Sequence, residues 1–112
     1  MNAFSRGDVV LVDFVFSDES GMKRRPALVI SSPAYHGTRQ EAVIAAITSN
    51  VKRSLFGDHL IADWQGAGLL FPSTVTGIIR TIKISAIGRR LGSLAKADAE
   101  AYDTLLKGSL DL

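Results

Sequence analysis

"KRRPALVIS", Lys23–Ser31, sets three cations against an apolar run, with one proline at the joint. Pro26 has no N–H to give a ladder, and its ring forces Arg25 into the extended region, so the two residues read as the entrance of a strand. Ala27 to Ile30 then reads as its buried body. A polar stretch, Ser32 to Gln40, leads to a second apolar run, "AVIAAIT", Ala42–Thr48, which ends in the turn residues Ser49 and Asn50. Arg25–Ser31 and Ala42–Thr48 are both seven residues long. If they pair antiparallel across the polar loop, a register that sets Ser31 opposite Ala42 also sets Arg25 opposite Thr48. A slip of one residue would turn every side chain to the other face. The expected pairing brings a guanidinium and a χ1-restricted hydroxyl to one sheet margin, which is a site-like arrangement.

Outward from this pair, "DVVLVDFVF", Asp8–Phe16, alternates so that Val10, Val12, Phe14 and Phe16 share one apolar face, the signature of a strand buried on that side. Ser17 to Gly21 holds turn formers. Downstream, Asp58 to Asp63 reads as a strand, Asp63 to Pro72 as an irregular crossing, and Ser73 to Ser85 as one or two strands interrupted near Gly77. Arg80 shares its parity with Ile78, Ile82 and Ile84, which places it either at a bulge or half-buried against a partner charge. Ile87 to Leu94 is the expected last strand. Leu94, Ala97, Ala101 and Leu105, widened by Tyr102 and Leu106, form a helical stripe, and Gly108 is its expected stop. Short strands followed by one terminal helix give class α+β, with a small SH3-like barrel of antiparallel strands as the architecture.

The chain has 112 residues, 46% hydrophobic and 21% charged, which suits one domain over 1–112 with a single core. Its net charge is only +2, but the cations cluster at Lys23-Arg24-Arg25, Lys52-Arg53 and Arg89-Arg90, so a polyanion such as RNA or an acidic peptide is a suitable partner. Cysteine is absent, which removes disulfides and thiolate metal sites. Apolar runs fall short of the roughly 20 residues a membrane helix needs, so the expected location is cytoplasmic, away from the membrane.

In order along the chain, "RGDVVLVDFVFSDESGMKRRPALVIS", "AAITSN", "DWQGAGLLFPSTV", "IIRTIKIS" and "IGRRLGSL" resemble the PemK/MazF toxin family. That resemblance implies a homodimer that cleaves single-stranded RNA with neither metal nor other cofactor, and that a cognate antitoxin silences. It carries the catalytic roles of the Arg-Pro and Ile-Thr-Ser motifs onto Arg25 and Thr48. It also makes Ser20 an RNA contact. From charge and position, Ser49 is a further expected RNA contact, Lys23, Arg24, Lys52 and Arg53 form an electrostatic guide, and Arg80 either contacts phosphate or holds an internal ion pair, the second slightly favoured. Gly77 and Ile78 stand where many relatives carry an acidic or amide residue.

Metal-free cleavage uses the substrate's own 2′-OH as nucleophile, so the protein's task is to stabilise the extra charge on phosphorus and assist proton movement. A guanidinium donates two parallel hydrogen bonds to phosphate oxygens and stays charged at any physiological pH, which suits Arg25 to the charge and not to the proton. Thr48 adds a second donor. For the base, His36 in its polar loop is the candidate, ahead of His59. Trp64 either stacks on a base or, as favoured, fills the core or a dimer interface. The readings from other classes are a relative that binds RNA or antitoxin without cutting, and a gyrase inhibitor of the CcdB type, which the C-terminal Ser109-Leu110-Asp111-Leu112 does not favour.

Overall fold

Alternation along the strands builds two apolar cores on one sheet. The computed structural model describes residues 4–15 and 22–112. Its strands are β1 (Asp8–Val15), β2 (Met22–Val29), β3 (Glu41–Thr48), β4 (His59–Leu60), β5 (Thr74–Lys83) and β6 (Ile87–Ser93), antiparallel in the order β4-β5-β3-β2-β1-β6. Val9, Leu28, Ala45 and Ile47 belong to one cluster, and Val10, Val12, Ala27, Val29, Ala42 and Ile44 to the other. Strand β1 is therefore buried on both faces where it begins, not on one: Val9 and Val10 are each 0% exposed.

The second cluster shows why the sheet closes. Ile82 in β5 and Ile84 beyond it pack there together with Ile87 of β6, although β5 flanks β3 and β6 flanks β1. Residues from opposite flanks meet only if the sheet curls on itself, and a 3-10 turn at Ile84–Ala86 makes the connection. The result is the small α+β barrel.

The first cluster is covered by helix α2 (Lys96–Leu110) and by the crossing segment, through Ile61, Ala67, Leu69 and Tyr102. Tyr102 donates its hydroxyl hydrogen to Thr76 O at 2.9 Å. The apolar stripe of α2 is displaced from the expected one: Ala99, Tyr102 and Leu106 face the core and Ala97 is exposed. The helix also runs through Gly108 and stops at Asp111, whose φ of 58° takes the left-handed form that ends helices. Trp64 packs against this core.

Three further elements differ from the sequence reading, each for a local reason. Arg25 lies inside β2, not at its entrance, because β1 pairs with β2 from Val15↔Met22 onward. Pro26 is tolerated there since the ladder to β3 begins only at Ala27↔Ala46, leaving one side of β2 without a strand partner. The stretch Ser32 to Gln40 contains helix α1 (Pro33–Arg39): Ser32 Oγ caps Tyr35 N, Pro33 occupies the first turn, and Gln40 closes it at φ 56°. The expected strand Asp58–Asp63 shrinks to two residues because the backbone N–H groups of Ala62 and Asp63 turn to the Asp98 carboxylate, at 2.9 and 3.0 Å.

Candidate active site

The register of β2 on β3 positions the site. Ala27↔Ala46, Leu28↔Ala45 and Val29↔Ile44 keep one offset, the same offset that sets Ser31 against Ala42 and Arg25 against Thr48. The ladder stops at Ala27↔Ala46, and at that end a cleft of about 940 Å³ opens, lined by Arg25 and Pro26 from β2 and by Ala46, Ile47 and Thr48 from β3. Arg25 and Thr48 thus share one cavity. Ser49 adds a second hydroxyl to the lining.

Two more arginines enter from other strands. Arg80 lies opposite Ile44 on β5 and Arg89 opposite Leu11 on β6, and both line the cleft. Arg80 is exposed to it, not half-buried. A bulge precedes it: Ala45 pairs with Ile79 but Ile47 with Val75, so β5 carries extra residues around Gly77 and stays one strand. The bulge's groups are met locally. Thr76 Oγ1 donates to Ala46 O at 2.8 Å and accepts from Ile78 N, while Gly77 N donates to the Asp58 carboxylate at 3.1 Å.

Three guanidinium groups and no carboxylate line this cleft among the described residues. An anion is the ligand such a field favours. Its remaining wall is apolar, formed by Leu11, Ile78, Leu91 and the segment Leu69 to Phe71.

The other basic residues are arranged differently. Arg24 projects from the opposite side of β2 to Arg25 and pairs with its cross-strand neighbour Asp13 at 3.2 Å. Arg53, expected as part of a guide for RNA, is held by Asp58 at 2.8 Å. Arg90 pairs with Asp8 at 3.2 Å. Lys23 and Lys52 are exposed outside the cleft lining. Ser20, with the turn Ser17 to Gly21, lies outside the described residues.

Asp58 ties two walls of the site together. Its carboxylate accepts from Arg53 Nε and from the N–H groups of Leu55 and Gly77. Burial by itself would raise its pKa, but Arg53 and those two N–H groups outweigh burial and hold it below the ordinary 3.8. The loop that follows Ser49 and the bulge that precedes Arg80 are anchored on this one side chain.

His36, the candidate base, is placed elsewhere. It is buried in α1 and shares a 2.6 Å hydrogen bond with Ser31 Oγ, which also accepts from Val43 N. Six residues of extended chain, about 20 Å, separate Ser31 from Arg25. Ser32 and Pro33 start a helix, and its first turns bury the imidazole at the far end of β2 instead of folding it over the cleft. His59 bonds to Asp98 at 2.7 Å and is likewise outside the lining.

The sequence marks Arg89 only as half of a basic pair with Arg90, and its pattern does not mark Leu70 or Phe71. Alternation in "IGRRLGS" does separate Arg89 and Leu91 from Arg90, but which face meets a cavity depends on β1, and two register shifts in the β1–β6 ladder obscure that parity.

A family model described as PemK-like, MazF-like toxin of type II toxin-antitoxin system matches residues 5–110. Among solved structures, the chain resembles a mycobacterial endoribonuclease in complex with its cognate antitoxin, with a TM-score of 0.79 and 21% identity over 98% of this chain and 97% of that one. It resembles the Mycobacterium tuberculosis toxin MazF-mt6 with a TM-score of 0.75 and 24% identity, covering 94% and 97%. Against MazF of Deinococcus radiodurans the TM-score is 0.78, with 22% identity and full coverage of both chains. TM-scores of this order establish a shared fold. No curated protein gives a significant match.

Proposed function

The chain belongs to the PemK-like, MazF-like toxin family of type II toxin-antitoxin systems, and on that premise we propose that it is a sequence-selective, metal-independent endoribonuclease acting on single-stranded RNA. The observation that carries this reading is the cleft itself, whose lining brings Arg25, Arg80 and Arg89 together with Thr48 and includes no carboxylate among the described residues.

In this reading a phosphodiester of the RNA sits against Arg25 and Thr48. The 2′-oxygen attacks phosphorus as the bond to the 5′-oxygen breaks, which leaves a 2′,3′-cyclic phosphate and a 5′-OH. The guanidinium fork of Arg25 donates two hydrogen bonds to the nonbridging oxygens, and Thr48 supplies a further donor as charge builds there. Arg80 and Arg89 hold the flanking phosphates. The proton lost by the 2′-OH and the proton gained by the 5′-oxygen are exchanged with solvent, and His36 has no part in either transfer. Ser20 and Ser49 are assigned to RNA contact, and Lys23, Arg24 and Lys52 to steering. Arg53, committed to Asp58, contributes through loop position.

The same reading makes the active species a cytoplasmic homodimer, inhibited by a cognate antitoxin whose acidic and apolar segment orders across the cleft. The solved relative named as an endoribonuclease in complex with its cognate antitoxin supports the antitoxin part of this reading. Among the described residues, no helix is long and apolar enough to cross a membrane. The test is incubation of the purified chain with a long RNA in excess EDTA, followed by sequencing of the fragment ends. Discrete cuts with cyclic phosphate termini are expected; RNA left intact across varied sequences refutes the assignment.

A further inference from the structure

Leu70 and Phe71 are among the most exposed large apolar side chains, at 83% and 63%, yet both line the cationic cleft. Phe56 is more exposed still than Phe71, at 79%, and is not in the lining, so exposure alone does not mark a site. What distinguishes Phe71 is its company and its anchoring.

The anchoring is backbone deep. Gly68 has a φ of +83°, and a Cβ built there would stand 2.2 Å from Leu91 O; one built on Gly92 would stand 2.6 Å from Ala67 O. The crossing segment is thus pressed directly against β6, a contact that only glycine on both sides permits. Leu69 is then buried in the core, Leu69 N donates to Trp64 O, and Ser73 Oγ donates to Phe71 O at 2.8 Å. Pro72 restricts Phe71 to extended backbone. An exposed aromatic side chain therefore lines the cleft from an anchored backbone, in the same lining as three arginines. Cations that take phosphates next to an aromatic face that takes bases are the two halves of a single-strand grip.

We infer that the Phe71 ring is the platform on which one unpaired base of the RNA stacks while Arg25, Arg80 and Arg89 hold the adjoining phosphates, so that Phe71 is a substrate-positioning residue. This rests on the endoribonuclease reading. A rigid ring loses little entropy when a base covers it, and the wet apolar surface of Leu70 and Phe71 is removed from water in the same step. Stacking on an aromatic side chain contributes to binding of the base both before and during reaction, so its loss falls on KM and not on kcat.

The experiment uses a site first mapped with the parent protein in EDTA. A short RNA spanning it, 2′-deoxy at the cut nucleotide and carrying 2-aminopurine at each flanking position in turn, reports stacking as quenched fluorescence. The parent is expected to quench one position, and Phe71→Ala to abolish that quenching, raise KM roughly 5- to 150-fold and leave kcat unchanged. Phe71→Trp, which keeps a ring on the same support, is expected to retain both quenching and KM. A cutting parent alongside a Phe71→Ala variant with parental KM and quenching overturns the stacking alone. A parent that neither binds nor cuts RNA overturns the endoribonuclease reading and this inference with it.

Discussion

Asp58→Ala tests how far one side chain holds the cleft in shape. The carboxylate is 3% exposed and its partner Arg53 26%, so their bond at 2.8 Å is partly shielded from water. A charge-assisted bond in that setting contributes roughly 1–2 kcal/mol. The N–H groups of Leu55 and Gly77, which also donate to Asp58, lie near the surface where water replaces the lost acceptor, at a cost of about 0.5 kcal/mol each. The variant should therefore lose about 2–3 kcal/mol, read in urea as a midpoint lowered by about 1–2 M. The pH dependence is diagnostic. Because the folded pKa of Asp58 lies below the ordinary 3.8, its contribution is complete above that value and disappears as pH falls through the folded pKa. The gap between parent and variant should be full at neutral pH and narrow in acid. A gap below about 0.5 kcal/mol at neutral pH, or one that widens as pH falls, would refute the reasoning. RNA cleavage by the variant should also fall, since both the loop beyond Ser49 and the bulge before Arg80 lose their tether.

Arg25→Ala should lower the cleavage rate by about 10²–10³ with the fold intact, and Arg25→Lys should restore little, because an ammonium lacks the two-pronged donor geometry; parental rates in either would remove Arg25 from the step. His36→Asn should leave the pH–rate profile of cleavage in place while lowering the thermal midpoint, since the imidazole bonds to Ser31 far from the cleft; a changed profile would return His36 to the chemistry. Burial, with the nearby Asp58 charge, pushes the Tyr102 pKa up to about 12 from 10.0. A raised folded pKa means that stability is complete below 10.0 and is lost as pH rises towards about 12. Alkaline titration of the unfolding midpoint should show this loss in the parent and not in Tyr102→Phe. Gly68→Ala should cost more than about 3 kcal/mol, because a methyl cannot occupy the space of Leu91 O at 2.2 Å and φ is positive; a thermal midpoint near the parent's would show that the crossing segment shifts freely.

Periodicity and turn chemistry are local properties, and wherever they governed the outcome they could be read along the chain. The alternation in "DVVLVDFVF" located β1, the equal lengths of Arg25–Ser31 and Ala42–Thr48 set the β2–β3 offset, and Gly77 marked the irregularity in β5. The helix at Pro33 was also locally encoded, by a serine cap followed by proline, although the polarity of the stretch suggested a loop. The ordered motifs identified the family.

The fate of each cation was not local. Arg24, Arg53 and Arg90 are neighbours in sequence of lysines or arginines that point elsewhere, and they are held by Asp13, Asp58 and Asp8. Arg25, Arg80 and Arg89 face one cleft because three different strands bring them there. A strand's pleat assigns side chains to two faces, but only the curl of the sheet decides which face becomes a cavity and which meets a carboxylate. Residues far apart in the chain must first be packed together before charge, hydroxyl and aromatic ring can act on one ligand.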